Sequence, residues 1–284
     1  MGDLTTAQEP SWPERGRAAR EALRETWEST AEVCHGLVTN EWELPTGCPG
    51  WSVKDQLSHV IGIERLLLGE PAPPWDDPLG DHVKNAFAAT LEPWVAVRRS
   101  EVGDDVLAEF RQVTARRLIE CDKVTAEAWS TVSATPLGTM PFAAFMELRV
   151  YDCWVHEQDV RRALDRPGGC GGGASRISLD RVQSAMPKVV AKLAAAPDGT
   201  VACFRITGAA DDARQFSLAV DAGRAAPVEN DMSPTVALTM SSLEFVRLGC
   251  GRITSEEAEA AGGIGIGGDA ALAQKILSHM NFMF

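Results

Sequence analysis

The chain has 284 residues, 45% of them hydrophobic and 24% charged, with a net charge of -13, which fits one large globular domain or two ordinary ones. The acidic balance argues against a nucleic-acid partner and against docking on an anionic membrane. No run reaches the 18 or so apolar residues of a membrane span, and the polar start lacks the apolar core of a signal peptide.

From 14 to 38, Ala18, Ala22, Trp27, Ala31 and Val33 recur at roughly helical spacing. The stretch 43–50 carries two prolines and two glycines, so it predicts a loop. Ser52, with Asp55 three residues on, has the pattern of a capping box and opens a helix to about Gly69. Val53, Leu57, Val60, Ile61 and Leu68 form its apolar side. Helical patterns return at 83–100 and 104–124, and Pro141 suits the first turn of a further helix that ends at Asp165. These elements predict a four- or five-helix bundle over 14–165.

Six glycines and prolines in the eight positions 166–173 cannot hold a regular element, so 166–177 reads as a linker. Beyond it come a helix over 178–196, strands at 201–207, 215–220 and 235–239, and helices at 241–248 and 269–280. That mixture predicts a small α+β domain over 178–284. Gly263, Gly265 and Gly268 match G-x-G-x-x-G only formally, because too little chain follows for a nucleotide-binding unit. A turn leading into a terminal helix capped by Asp269 is the better reading.

Seven cysteines, an odd number with no C-x-x-C, fit a reducing, cytoplasmic setting better than a disulfide framework. Cys153 and Cys48 are candidate nucleophiles, although a free cysteine commonly serves as a small buried hydrophobe. His35, His82 and His279 have no carboxylate at ligand spacing.

The chemistry-bearing stretch runs from Arg149 to Asp159. Phe145, Arg149, Asp152, His156 and Asp159 fall on one helical stripe, polar at four of five positions in an otherwise apolar helix. Asp152 and His156 leave the same face, about 40° apart around the axis. Buried charges are costly unless they pair or bind a metal, so two readings fit. One is a closed Asp–His–Arg network. The other adds His59, from the apolar run of the earlier helix, to make a three-ligand site for a divalent metal with one position open, as a catalytic zinc requires. Asp159 is then a candidate to orient an imidazole through its other nitrogen, or else an i,i+3 partner of Arg162. Arg149 neutralises Asp152 or holds an anionic substrate, a role open to Arg65 as well. Glu157 and Gln158 face elsewhere and are expected in solvent.

Cys48-Pro49-Gly50-Trp51-Ser52-Val53-Lys54-Asp55-Gln56-Leu57-Ser58-His59 resembles the C-P-G-W-[ST]-V-x-D-x-x-x-H segment of the mycothiol-dependent maleylpyruvate isomerase family, within the wider DinB-like group of helical metalloproteins. Asp152-x-x-x-His156-x-x-Asp159-x-x-Arg162 is similar to the family's later motif, and Gly267 to Ala273 resembles its sterol-carrier-protein-like second domain. The resemblance implies a metal held by His59, Asp152 and His156, zinc or another divalent ion. Where the isomerase has glutamate, this chain has Asp152, one methylene shorter, which would draw the metal closer to the helix.

The resemblance also implies a low-molecular-weight thiol, mycothiol, as cosubstrate. Thiol transfer to a small electrophile, or thiol-assisted isomerisation of one, is then the leading expectation, by a monomer or homodimer with no nucleic-acid or membrane partner. A thiol is mostly protonated at neutral pH and its thiolate is the nucleophile, which is what a bound cation would promote. Two rivals remain: a metal-dependent hydrolase that activates water, and a non-catalytic protein that binds a small ligand.

Overall fold

The structure is a computed structural model and describes residues 9–230 and 232–282. Two compact units emerge, one of Gly50–Pro167 with the chain before Gly47, the other of Gly168–Phe284 with Gly47–Pro49.

The first unit is helical. Its elements are α1 (Trp12–Val33), α2 (Thr39–Trp42), α3 (Val53–Leu67), α4 (Ala86–Ala96), α5 (Gly103–Asp122), α6 (Ala126–Ser130), a hairpin of β1 (Val132–Thr135) and β2 (Gly138–Pro141), and α7 (Phe142–Ala163). Helices α1, α3, α5 and α7 pack together as a four-helix bundle with α4 laid against α3. The apolar stripes explain why. Leu23 of α1, Leu57 and Ile61 of α3, Phe110 of α5, and Met146, Tyr151 and Trp154 of α7 are all fully buried. The hairpin is an addition to what periodicity predicts, because its strands are only four residues long and largely exposed. Pro141 precedes the first helical residue of α7 rather than occupying it.

Gly62 lets α3 and α4 approach closely. A Cβ there would run into Trp94 Cβ. Gly62→Ala is therefore expected to cost about 1–3 kcal/mol by overpacking, read as a lower urea midpoint at unchanged slope.

The second unit is α+β. It contains α8 (Gly173–Lys188), β3 (Val201–Thr207), β4 (Arg214–Asp221), β5 (Arg224–Val228), β6 (Val236–Ser241), α9 (Ser242–Gly249), α10 (Ser255–Ala260), β7 (Ile264–Gly268) and α11 (Ala270–Ser278). The sheet order is β5-β4-β3-β6-β7, antiparallel except for the β3–β6 pair. Phe204, Leu238, Phe245, Leu179 and Met186 form its core. Two expectations change here. α8 starts at Gly173, earlier than apolar spacing places it, and Val189–Leu193 continues it as a π-helical turn. The glycine run near the end is strand β7 rather than a turn, with Gly265 and Gly267 opposite Thr239 and Ala237. Asp269 does cap α11, accepting from the Leu272 N–H at 3.0 Å.

Among the described residues no helix is long and apolar enough to cross a membrane, and no disulfide forms.

Candidate metal centre

The register of α3 is set at its first turn. Asp55 N–H donates to the Ser52 hydroxyl at 3.3 Å, and Ser52 N–H donates to Asp55 Oδ2 at 2.9 Å. That start places Gln56 and His59 one turn apart on one face. Along α3, Gln56, His59 and Glu64 meet His156, Asp152 and Arg149 of α7 in that order, so the two helices run antiparallel.

The three residues singled out for a metal converge. His59 Nε2 lies 3.5 Å from Asp152 Oδ2, and His156 Nε2 lies 3.5 Å from Asp152 Oδ1. The imidazole centroids are 4.5 Å apart. One ligand atom from each residue falls within 4.8 Å of the others. Two donors held by one tetrahedral zinc at 2.0–2.1 Å lie about 3.3 Å apart, close to the two nitrogen–oxygen separations. Both ring nitrogens of His59 are buried, and among the described residues neither has a hydrogen-bond partner. A buried polar atom without a partner is uncommon and costly. The donor set therefore fits a divalent cation.

The electrostatics suit the same role. Burial pushes the His59 imidazole down to about 4, against an opposing pull from Asp152, so it is a neutral donor at pH 7. Burial would raise the Asp152 carboxyl, but Arg149, then His59 and His156, hold it well below the usual carboxylate range. Trp51 covers both rings, with its centroid 4.8 Å from His59 and 5.8 Å from His156. Its indole N–H donates to the buried Glu92 at 3.2 Å. Gly50, just before it, sits at φ +79° with His82 packed where a side chain would be.

Arg149 is 4% exposed and engaged on all three nitrogens. Nε and Nη2 donate to Glu64 Oε1 at 3.1 and 2.7 Å, and Nη1 donates to Asp152 Oδ2. Of its two expected roles, this is the geometry that neutralises Asp152. Arg65, the other candidate anchor for an anionic substrate, pairs with Glu70 at 2.5 Å and Glu109 at 2.7 Å. Asp159 Oδ2 stands 3.8 Å from His156 Nδ1, while the Gln56 side-chain carbonyl is in direct hydrogen-bond contact with that nitrogen.

Gln56 and Glu64 were not singled out by sequence spacing. Both lie in the stretch of α3 from Val53 to Glu64 that is buried throughout, polar residues included. Glu157 corrects an expectation: it is 1% exposed, accepting from Ser29 at 2.6 Å and Arg161 at 2.7 Å. Cys153 is buried beside Trp27 and Arg149, and burial pushes its thiol up to about 12, so it is no nucleophile at neutral pH.

A family model for the mycothiol maleylpyruvate isomerase N-terminal domain matches residues 23–161, and one for the C-terminal domain of the same protein matches residues 176–275. The chain belongs to the mycothiol-dependent maleylpyruvate isomerase family. That family is one of enzymes. A solved structure of the mycothiol-dependent maleylpyruvate isomerase is similar with a TM-score of 0.51 at 16% identity, covering 88% of this chain and 92% of that one. At such identity the likeness carries the fold alone. Sterol Carrier Protein 2 Like 2 from Aedes aegypti aligns with 36% of the chain and 95% of its own length, at 21% identity and a TM-score of 0.30. An uncharacterized protein of Mycobacterium tuberculosis is 26% identical over 143 residues, 47% of this chain. The chain spans about half that relative's length, 51%.

Proposed function

We propose that this protein is a divalent-metal enzyme, with zinc as the preferred ion, that uses mycothiol to transfer sulfur to a small electrophile or to isomerise one. The observation that carries the reading is the convergence of His59, Asp152 and His156 with the His59 nitrogens left unsatisfied. When bound, the cation would lower the pKa of a thiol entering its open position and so favour the nucleophilic thiolate at neutral pH.

The chain's own residues do the rest. His59 and His156 supply nitrogen donors, and Asp152 supplies a negative charge. Arg149 keeps that carboxylate ionised and fixed in place. Asp159 stands by the far nitrogen of His156 and adds negative potential behind that ring. Trp51 shields the imidazoles from water on one side. The helical unit holds the metal and Gly168–Phe284 forms a separate α+β domain. A reducing cytoplasm, where mycothiol is available as a thiol, suits a chain with seven cysteines. The protein acts as a monomer or homodimer.

Elemental analysis of purified protein is expected to show about one divalent metal per chain, and His156→Ala is expected to lose it. Wild type that is metal-free and takes up no added zinc would sink the site. Incubation with mycothiol and a panel of electrophiles, followed by mass spectrometry, is expected to give adduct or isomer only with metal and thiol together. Product that needs the metal but no thiol would point to hydrolysis instead.

A further inference from the structure

The two imidazoles of the cluster are held differently. His156 has the Gln56 side-chain amide against its Nδ1. His59 is 6% exposed, yet its Nδ1 has no hydrogen-bond partner among the described residues, and its Nε2 stands 3.5 Å from Asp152 Oδ2. A metal-binding imidazole ordinarily has its other nitrogen tied to a hydrogen-bond partner, which fixes the orientation of the ring. For His59, packing is left to do this. Its ring lies against the Trp51 indole, with centroids 4.8 Å apart, and against His156 at 4.5 Å.

We propose, on the footing of the metal site above, that Glu92 is a positioning residue for that site: it anchors the Trp51 indole, and the indole, in place of a hydrogen bond, sets the orientation of the His59 ring.

Glu92 stands out from its surroundings. It lies on α4 among the buried Leu91, Trp94 and Val95 and is itself 3% exposed. A carboxylate buried there is costly unless donors meet it. Two donors do, and a third group faces it, each from a different part of the chain. The Trp51 indole N–H donates to Oε2 at 3.2 Å, Arg99 Nη2 donates to Oε1 at 2.7 Å, and His82 Nε2 stands 3.0 Å from Oε1. Arg99 Nε also lies 3.4 Å from Asp55 Oδ1, in the turn that opens α3. The anchor is thus tied to the same turn that sets the register of His59.

The main chain of Trp51 is pinned separately. Its carbonyl accepts from the Thr46 N–H at 3.0 Å and from the Thr46 hydroxyl at 2.9 Å. What freedom remains is rotation of the side chain, and the residue is only half-buried, so packing alone does not trap it. The indole N–H is the one polar group by which the ring can be fixed. A hydrogen bond to a charged acceptor favours one rotamer by roughly 10–100-fold.

The test begins without metal. Protein carrying 15N in its indoles and 13C in its imidazoles is compared with Glu92→Leu. The Trp51 and His59 signals are assigned by their loss in Trp51→Phe and His59→Gln. In wild type the Trp51 indole proton is expected to exchange slowly with solvent, and His59 to give one sharp set of ring signals. Glu92→Leu should speed that exchange roughly 10–100-fold and broaden or split the His59 signals. A residue that only braced the fold would lower the urea midpoint and leave both signals as they are.

Zinc affinity, read in competition with a chromophoric chelator, should fall roughly 10–100-fold in Glu92→Leu. Trp51→Phe keeps an aromatic ring and removes the N–H, and should weaken zinc binding as well. If Glu92 acts through that N–H, the two losses do not add, and the double variant binds zinc about as well as the weaker single one. Additive losses, or His59 signals that Glu92→Leu leaves unchanged, would overturn the proposal. Should Glu92→Leu fail to fold, Trp51→Phe carries the test, because unchanged His59 signals there would show that the ring is fixed without an anchored indole. Wild type that binds no zinc would defeat the metal site, while the metal-free spectra still decide whether Glu92 anchors Trp51 and orders His59.

Discussion

Glu64→Gln is expected to lower the stability of the protein by about 3–5 kcal/mol, the cost of leaving a buried charge without its partner. Glu64 is 1% exposed and lies between two buried arginines. Arg117 Nε donates to its Oε2 at 2.8 Å, and Arg149 Nη2 to its Oε1 at 2.7 Å. Arg149 in turn holds Asp152. Two cations and two anions thus alternate through the bundle, and removing the central anion leaves an unbalanced positive charge. Removing both ends of one link is a different matter. Glu64→Met with Arg117→Met leaves Arg149 paired with Asp152 and fills the space with apolar atoms, a change that often costs little. The double variant is therefore expected to be more stable than Glu64→Gln alone. Urea titrations of the three proteins decide it. If Glu64→Gln unfolds within about 1 kcal/mol of wild type, water reaches this network and it is not the buried charge cluster described here.

The same network marks where sequence reading stops. Asp152 and His156 are visible as a pair because four-residue spacing is a property of one helix. The Ser52–Asp55 capping box is equally local, and the bond between them is present. The strand at Val201–Thr207 is legible because β-branched and aromatic residues dominate it over a full strand length. Gln56, Glu64 and Arg117 gain their meaning only when α3, α5 and α7 are packed, and no spacing within one helix encodes that. Glu157 misleads for a related reason. A charged residue off the ligand stripe suggests solvent, yet its partners are Ser29 on α1 and Arg161 one turn along α7. Strand β7 misleads through composition. Glycine weakens isolated strands, but β6 presents an unpaired edge, and the alternating Ile264 and Ile266 find places beside Met240 and Leu238. Tertiary context overrides local propensity in each of these cases.

In metal-free buffer the protein is expected to lose stability as pH falls from about 6.5 toward 4, by an amount on the order of 3 kcal/mol from His59 alone. The sign follows from where the proton goes. His59 has an ordinary value of 6.5 and is pushed down to about 4 in the fold, chiefly by burial. Above pH 6.5 neither state holds the extra proton, and the contribution of His59 to stability is complete. Between 6.5 and 4 the unfolded chain takes up a proton that the folded protein refuses, so each step down favours unfolding. Asp152 acts in a lower window. Its folded value is depressed, so its contribution is full above its ordinary 3.8 and is lost as pH drops below that. Glu157 works the other way. Burial raises its folded value above 4.5, so the penalty it imposes at neutral pH is relieved as the medium turns acidic. The His59 contribution is separated from both by His59→Gln, which has no ionisable group at that position. Urea midpoints at pH 7, 6 and 5 should fall more steeply for wild type than for His59→Gln, and parallel curves would show that the imbalance does not arise at His59. Saturating zinc at pH 7 should then add stability to wild type by mass action, about 4 kcal/mol at a thousandfold excess over Kd, and should add far less to His59→Gln, which lacks one donor.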